Sequence, residues 1–331
     1  MKKILCILIC LFFMIEHVHA ENYIVMSDDN RILFSKNEHE PKSIASISKI
    51  MTAVICLEKG DYIDVWTVGS EVLSADEKRI YLKEGQQVSM RSLLYGLMLE
   101  SGNDAAIVLA KRVGGTVERF VELMNNKAQE LGMNHTVFHN PHGLDVYEDG
   151  NISTCYDMAL LMNYALKNDV FCEIIKTLEY TSEWGSIFHN SNKLLTAFPF
   201  TLGGKTGYTS KAGRTLVSAA RKDNLTLLCV SFQIHDHFNF HQTKYTEAMN
   251  LYQKMTLMKT GDYHWNQRVV HVDEEFAVTC SLNELSEAEI RYDYNERTGE
   301  FLVQFSLDDY VVHKAYSTSS SKNYCILGYC L

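Results

Sequence analysis

The stretch Ala45-Ser46-Ile47-Ser48-Lys49-Ile50-Met51-Thr52-Ala53 puts a hydroxyl and an amine three residues apart at the head of an apolar pattern. Ile47, Ile50, Met51, Val54 and Ile55 recur at i, i+3, i+4, i+7 and i+8. That spacing predicts one buried face of a helix that follows Pro41 and stops at Gly60. Ser46 and Lys49 lie off the stripe, and their separation makes them neighbours on the helix surface. Ser48, next to Lys49, has the wrong spacing to face it. A serine hydroxyl is a weak nucleophile until a base takes its proton. A lysine is such a base only when neutral, and burial or a neighbouring cation drives it that way.

Two later segments carry matching chemistry. Ser101-Gly102-Asn103 follows a helical stretch over 92–99 and precedes another running from Asp104 to Gly114-Gly115. The tripeptide is therefore a helix–helix connector whose side chains can project into a cleft. Lys205-Thr206-Gly207 sits in a strand-like run over 203–209. The patterns S-x-x-K, S-x-N and K-T-G, in this order, make a serine acyl-transfer set. Each pattern alone is weak, and their weight comes from occurring together on suitable local structure. In this reading Ser46 is the nucleophile and Lys49 its base, with Lys205 as the cation that lowers the lysine's proton affinity. Ser101 relays a proton to the departing amine, and Asn103 holds the substrate backbone and Lys49. Lys205 and Thr206 offer a positive charge and a hydroxyl to a substrate carboxylate. Gly207 lets the ligand approach the backbone, and the amides of Ser46 and Tyr208 donate to an oxyanion.

The segments between these motifs predict an α+β chain. Residues 23–26 and 31–34 flank the polar turn Ser27-Asp28-Asp29-Asn30 as a β-hairpin. Helices are expected over 116–131 and 156–166, and strands over 203–209, 215–220 and 225–232, the last two joined by a turn at Arg221-Lys222-Asp223-Asn224. Strands at both ends with helices between predict one antiparallel sheet that the two ends of the domain close, carrying a helical cluster. From about residue 263 short strand-like runs at 269–272, 277–280, 290–292, 301–305 and 310–312 predict a small β-rich region. The expected division is a leader over 1–20, the main domain over 21–262 and the β-rich region over 263–331.

The leader reading rests on Lys2-Lys3, the apolar run over 4–15 and the small residue Ala20. This is the layout of a secretory signal, with cleavage expected before Glu21, and the run is short for a membrane span of roughly 20 residues. Removing it leaves seven scattered cysteines without a C-x-x-C pair, which gives no basis for a zinc ribbon or redox motif. Cys56 and Cys229 lie in apolar runs and are expected to be buried thiols. Cys325 and Cys330 are the only local pair. A formal charge of -10 argues against nucleic acid, whose binders present a basic face. His235, His237 and His241 lack a recognised metal-ligand pattern and are expected to be polar loop or rim histidines. No metal or cofactor is expected.

Longer strings carry a resemblance. Tyr95-Gly96-Leu97-Met98-Leu99-Glu100-Ser101-Gly102-Asn103-Asp104-Ala105-Ala106, Asn140-Pro141-His142-Gly143-Leu144-Asp145 and Gly203-Gly204-Lys205-Thr206-Gly207-Tyr208-Thr209-Ser210-Lys211-Ala212-Gly213-Arg214 join the Ser46 stretch. Over roughly residues 22–260 the chain resembles the low-molecular-mass penicillin-binding proteins, the serine-type D-alanyl-D-alanine carboxypeptidases, and among them the sporulation-associated type. The resemblance implies a β-lactamase/transpeptidase-like fold, no cofactor, a peptidoglycan pentapeptide stem as substrate and covalent inhibition by β-lactam antibiotics. It implies action outside the cytoplasm on the cell-wall side. Members commonly carry an arginine after the last strands that helps bind the substrate carboxylate. None occurs between His235 and Gln253, which leaves Lys205, Thr206 and Thr209, with Lys244 or Arg214, for that role. Two rival functions are a β-lactamase-like hydrolase and a non-catalytic penicillin-binding or sensor module. The first would need a deacylating glutamate, for which Glu148 and Glu173 lie in the broad region. The second would normally have lost a catalytic residue.

Overall fold

The structure, a computed structural model, describes residues 21–145 and 150–320. The expected leader, Glu148 and the Cys325/Cys330 pair lie outside the described residues. A five-stranded antiparallel sheet is built from β1 (Asn22–Ser27), β2 (Ile32–Lys36), β3 (Thr201–Thr209), β4 (Gly213–Lys222) and β5 (Leu225–Phe232), in the order β2-β1-β5-β4-β3. The pairing of β1 with β5, Asn22 opposite Phe232 through Ser27 opposite Leu227, joins the two ends of the domain. Strand β3 lies at the sheet edge, paired on one side only with β4.

Both faces of the sheet are covered. Ile24, Met26, Val217, Ala219, Leu228 and Val230 face a helical cluster of α1 (Lys49–Lys59), α2 (Met90–Leu99), α3 (Asn103–Gly114), α4 (Val117–Glu130), α5 (Cys155–Ala165) and α6 (Asp169–Lys176). Alternate residues Val25, Leu216, Ala220, Leu227 and Cys229 face α7 (His237–Leu251), with Leu194 and Phe198 of the short helical turn over 194–198 completing this core. The period-2 alternation of each strand thus serves two separate cores. Helix starts follow their sequence signals. Thr116, Thr154 and Asn168 side chains accept from the amides of Arg119, Asp157 and Phe171, each such cap stabilising by about 1 kcal/mol. Cys56 and Cys229 are buried free thiols, as their apolar settings predict.

Two expectations are corrected. Helix α1 does not show a single buried stripe: every residue from Lys49 to Cys56 is buried, because helices α2 to α6 surround it. The histidines divide: His235 lies in an exposed turn as expected, His237 opens α7 as a buried residue on the cleft wall, and His241, one turn on, is buried in the core. His241 bonds Ser218 Oγ at 2.7 Å through Nδ1 and Ser231 Oγ at 2.9 Å through Nε2, and Ser218 Oγ meets Tyr245 OH at 2.8 Å. Serines on β4 and β5 that point to the α7 side satisfy the ring, which is what lets a polar side chain enter this core. Burial, with a smaller contribution from His237, holds its pKa well below the usual value, so the ring is neutral.

A second five-stranded sheet follows: β7 (Gly261–Trp265), β8 (Arg268–Val272), β10 (Glu289–Asn295), β11 (Glu300–Leu307) and β12 (Tyr310–Ser320), in the order β7-β8-β12-β11-β10. Strands β6 (Gln253–Met258) and β9 (Phe276–Cys280) pair beside it. This sheet has its own core around Val270, Val278, Val303 and Phe305. The polar turn between β1 and β2 docks it to the first. Arg31 donates to Thr279 O at 2.5 Å and pairs with Glu284 at 2.6 Å, while Asp29 accepts from Thr279 N at 2.7 Å and from Tyr310 OH at 3.1 Å. Among the described residues no helix is long and apolar enough to cross a membrane.

Candidate active site

Ser46 sits in a single 3-10 turn, Ala45–Ser48, and Lys49 is the first residue of α1. Ser46 therefore lies just before the helix, which begins at Lys49 rather than at Ile47, where the apolar stripe starts. Ala45 has φ 50°, a left-handed conformation that costs a non-glycine residue of order 1–3 kcal/mol. Gly143 explains how the turn is held. A Cβ at Gly143 would stand 2.0 Å from the Ala45 carbonyl oxygen, so the 140–145 loop presses directly on the backbone that presents Ser46.

The amine of Lys49 is wholly buried and makes three contacts: Ser46 Oγ at 3.0 Å, Asn103 Oδ1 at 2.8 Å and the His142 carbonyl at 2.5 Å. A neutral amine has two N–H groups and one lone pair. Asn103 Oδ1 and His142 O can only accept, so they consume the two N–H groups and leave the lone pair for the Ser46 hydroxyl. The amide of Asn103 is fixed because Nδ2 donates to Asp76 O at 2.7 Å. Burial first, then the charge of Lys205, holds the Lys49 pKa well below the normal lysine value, against smaller opposing effects of Glu77 and Asp104. Desolvation penalises the ammonium form in the way a general base requires. His142, half-buried beside this amine, is held at about 3 by desolvation and the Lys49 charge, so it adds no competing cation.

Ser101 and Asn103 face the same cleft as Ser46. Its volume is about 360 Å³, and Lys78, Ser191, Thr206 and Arg214 are also on its walls. Ser101 has φ 65°, and its Oγ is buried without a hydrogen-bond partner among the described residues. A strained backbone holding an unsatisfied hydroxyl at a cleft is a functional signature. Thr206 Oγ1 meets Ser191 Oγ at 2.9 Å. Gly207 has a role different from the one expected. A side chain there would meet Thr215 Oγ1 at 2.4 Å, Ser46 N at 3.0 Å and Ile47 N at 3.1 Å. The missing Cβ brings edge strand β3 against the nucleophile turn, with backbone packing as the first demand on it.

Other expected site residues are placed elsewhere or otherwise engaged. Lys205 is buried beneath the cleft, and its amine donates to Thr206 O at 2.8 Å. Desolvation, with Lys78, lowers its pKa to about 7, which weakens the expected role as a fixed carboxylate cation. Thr209 Oγ1 donates to Asp145 and accepts from Ala212 N. Lys244 pairs with Glu247 at 2.9 Å and lies over the rings of Tyr23 and Phe34, so it belongs to the α7 side. Glu173 accepts from Tyr95 OH at 2.8 Å and is not on the cleft wall. Sequence reasoning assigned no role to His142, Asp145, Ser191 or His237. The string Asn140–Asp145 held the signal for two of them, since a Pro-x-Gly loop with flanking polar residues marks a constrained turn.

This architecture, an antiparallel sheet covered by helices with a serine–lysine turn packed under its edge strand, is that of the penicillin-binding proteins. The structure superposes on penicillin binding protein 6B from Escherichia coli with a TM-score of 0.73 and 27% identity, over 90% of this chain and 94% of the other. It shares the fold of penicillin binding protein 5 from Haemophilus influenzae at a TM-score of 0.77 and 24% identity, over 91% and 96%. Residues 14–236 match the peptidase S11 family, D-alanyl-D-alanine carboxypeptidase, and the chain belongs to that family. D-alanyl-D-alanine carboxypeptidase DacF of Bacillus subtilis is 33% identical over 230 residues, covering 66% of this chain. The chain spans 58% of the length of that relative.

Proposed function

We propose that this protein is a serine D-alanyl-D-alanine carboxypeptidase that removes the terminal D-alanine from the pentapeptide stem of peptidoglycan and is acylated by β-lactams. The observation that carries the reading is the three-way coordination of the Lys49 amine, which leaves its lone pair for Ser46. Ser46 attacks the carbonyl between the two D-alanines, and its proton passes to Lys49. The backbone amides of Ser46 and Tyr208 receive the oxyanion. The C–N bond then breaks as the ester forms on Ser46, and Ser101, unsatisfied at the cleft, relays the proton held by Lys49 to the leaving amine. Water then hydrolyses the ester and returns Ser46 to its starting state. Every group this sequence of steps uses lies within residues 21–251, and the pairing of β6 with β9 supports an appended unit that begins near residue 253 rather than at the expected 263.

Hydrolysis rather than cross-linking is the expected outcome. Mass spectrometry of products from pentapeptide strands should show tetrapeptide and free D-alanine, and dominant cross-linked dimers would refute the assignment. Glu173 gives no support to a β-lactamase reading, because it is engaged with Tyr95 and is not among the residues of the cleft wall; the other candidate, Glu148, lies outside the described residues.

The substrate lies outside the cytoplasm, and the Lys2-Lys3 start, short apolar run and Ala20 support export. N-terminal sequencing of the native protein should read from Glu21. An intact Met1 on a membrane fraction would replace the cleaved leader with an anchor.

A further inference from the structure

The His142 carbonyl that accepts from Lys49 belongs to a stretch over 139–145 that is neither helix nor strand. An acceptor that aims a base has to be held within about 0.5 Å, so something other than regular structure must fix this loop. Two buried asparagines do so. Asn140 Oδ1 accepts from the amides of His142 at 3.2 Å and Gly143 at 2.6 Å, and its Nδ2 donates to Leu144 O at 2.9 Å. Asn151 Oδ1 accepts from the amides of His139 at 2.7 Å and Asn140 at 3.1 Å, and its Nδ2 donates to Asn140 O at 2.9 Å. The paired backbone donors settle which end of each carboxamide is oxygen. Asn151 is wholly buried and is not among the residues of the cleft wall. Its backbone oxygen accepts from Ile44 N at 3.1 Å, two residues before Ser46, where Lys42–Ser43 and Ile152–Ser153 pair as a short ribbon. One residue therefore ties the backbone leading into the Ser46 turn to the loop whose carbonyl holds Lys49. Thr52, three residues beyond Lys49 on α1, adds a second tie by donating to Pro141 O at 2.6 Å.

We infer that Asn151 is a positioning residue for acylation: acting through Asn140, its carboxamide keeps the His142 carbonyl on the Lys49 amine. The inference rests on the reading of Ser46 and Lys49 as nucleophile and base. Without the carboxamide, the amides of His139 and Asn140 and the Asn140 carbonyl lose their buried partner, and the loop must shift to satisfy them. The His142 carbonyl moves with it, because Asn140 bridges both sides of that turn. An N–H of Lys49 freed in this way turns toward Ser46 Oγ, and the lone pair that should take the serine proton turns away. Asn151 thus governs the rate of proton transfer from outside the cleft.

Acylation of the full-length protein by fluorescent penicillin reads two quantities separately, the rate constant at saturating penicillin and the final labelled fraction. Loss of folded protein lowers the fraction and leaves the rate constant of the remainder unchanged. Asn151→Ala should lower the rate constant on the order of 10- to 100-fold, the range that a misplacement of about 1 Å produces. Penicillin affinity before acylation should change by less than about 3-fold, since only the transition state is affected. Ser153→Ala removes a hydrogen bond to Thr136 from the same buried ribbon and should leave the rate constant unchanged. In a Lys49→Met background Asn151→Ala should alter the residual rate by less than about 3-fold, because its route to the reaction is gone. If Asn151→Ala does not fold, Thr52→Val decides. It releases the same loop at Pro141 O and should slow acylation by about 3- to 10-fold, the worth of one hydrogen bond. A wild-type rate constant in folded Asn151→Ala, or in Thr52→Val where that variant decides, overturns the inference. So does a matching loss in Ser153→Ala or an undiminished effect in the Lys49→Met background. A wild type that penicillin does not label refutes the nucleophile–base reading itself.

Discussion

Ser46→Ala is expected to abolish covalent labelling by fluorescent penicillin and release of D-alanine, with no loss of melting temperature. In serine hydrolases, removing the nucleophile costs on the order of 10⁶ in kcat, so any residual turnover should fall to background. The expectation is specific because Ser46 is the hydroxyl held 3.0 Å from the Lys49 amine, whereas Ser48 Oγ is buried and donates to Ala45 O at 2.7 Å. The fold should survive, since Ser46 is only partly buried and the 3-10 turn is held by backbone packing against Gly143 and Gly207. Labelling that persists in the variant would move the nucleophile elsewhere and with it the assignments of Lys49 and Ser101.

Lys49→Met should lower the acylation rate by about 10²–10⁴-fold, the usual contribution of a positioned general base. The wild-type rate should rise with pH as the Lys49 amine loses its proton. Because burial and Lys205 depress its pKa, the rising limb should lie below the normal lysine value of roughly 10.4. The sign for Lys205 also follows. Replacing it with methionine removes a cation that repels the Lys49 proton, so Lys49 holds that proton more tightly and the limb moves to higher pH. Measuring penicillin acylation against pH for the wild type and Lys205→Met decides this. A limb unmoved, or moved to lower pH, would show that Lys205 does not tune the base. The two amines titrate as a coupled system, so the limb reports both.

The hairpin at the start and the closing strands were legible because each rests on local patterning: period-2 alternation and turn residues. The family-specific strings were legible as well, as was the proximity of Ser46 to Lys49, since a three-residue spacing on a turn brings two side chains together whatever surrounds them. Less legible was the burial of Lys49. The expected chemistry of a general base called for burial, but the lysine's position off the apolar stripe gave no sign of it, and α1 is enclosed by five other helices. Periodicity reports how one helix divides its own residues and says nothing of how many neighbours cover it. His241 departed from expectation for a related reason. A polar residue is read as exposed unless its partners are known, and the partners of His241 are serines 10 and 23 residues away on other strands.

By itself the sequence determined the chemistry available: a serine and a lysine one turn apart, a second serine and an asparagine in a connector, and a basic strand segment. Local backbone geometry is enough to place those groups on their elements. Only the tertiary structure decided what state they are in. Lys49 is desolvated, and Asn103, 54 positions away, and His142, 93 away, accept from its amine, which is the state that the proposed general base requires. Lys205 is withdrawn beneath the cleft while Arg214 comes to its wall, because the register of β3 on β4 and the packing of α7 set which cation is desolvated. Protonation and recognition depend on the dielectric and partners around a group, and those are supplied by residues distant in the chain.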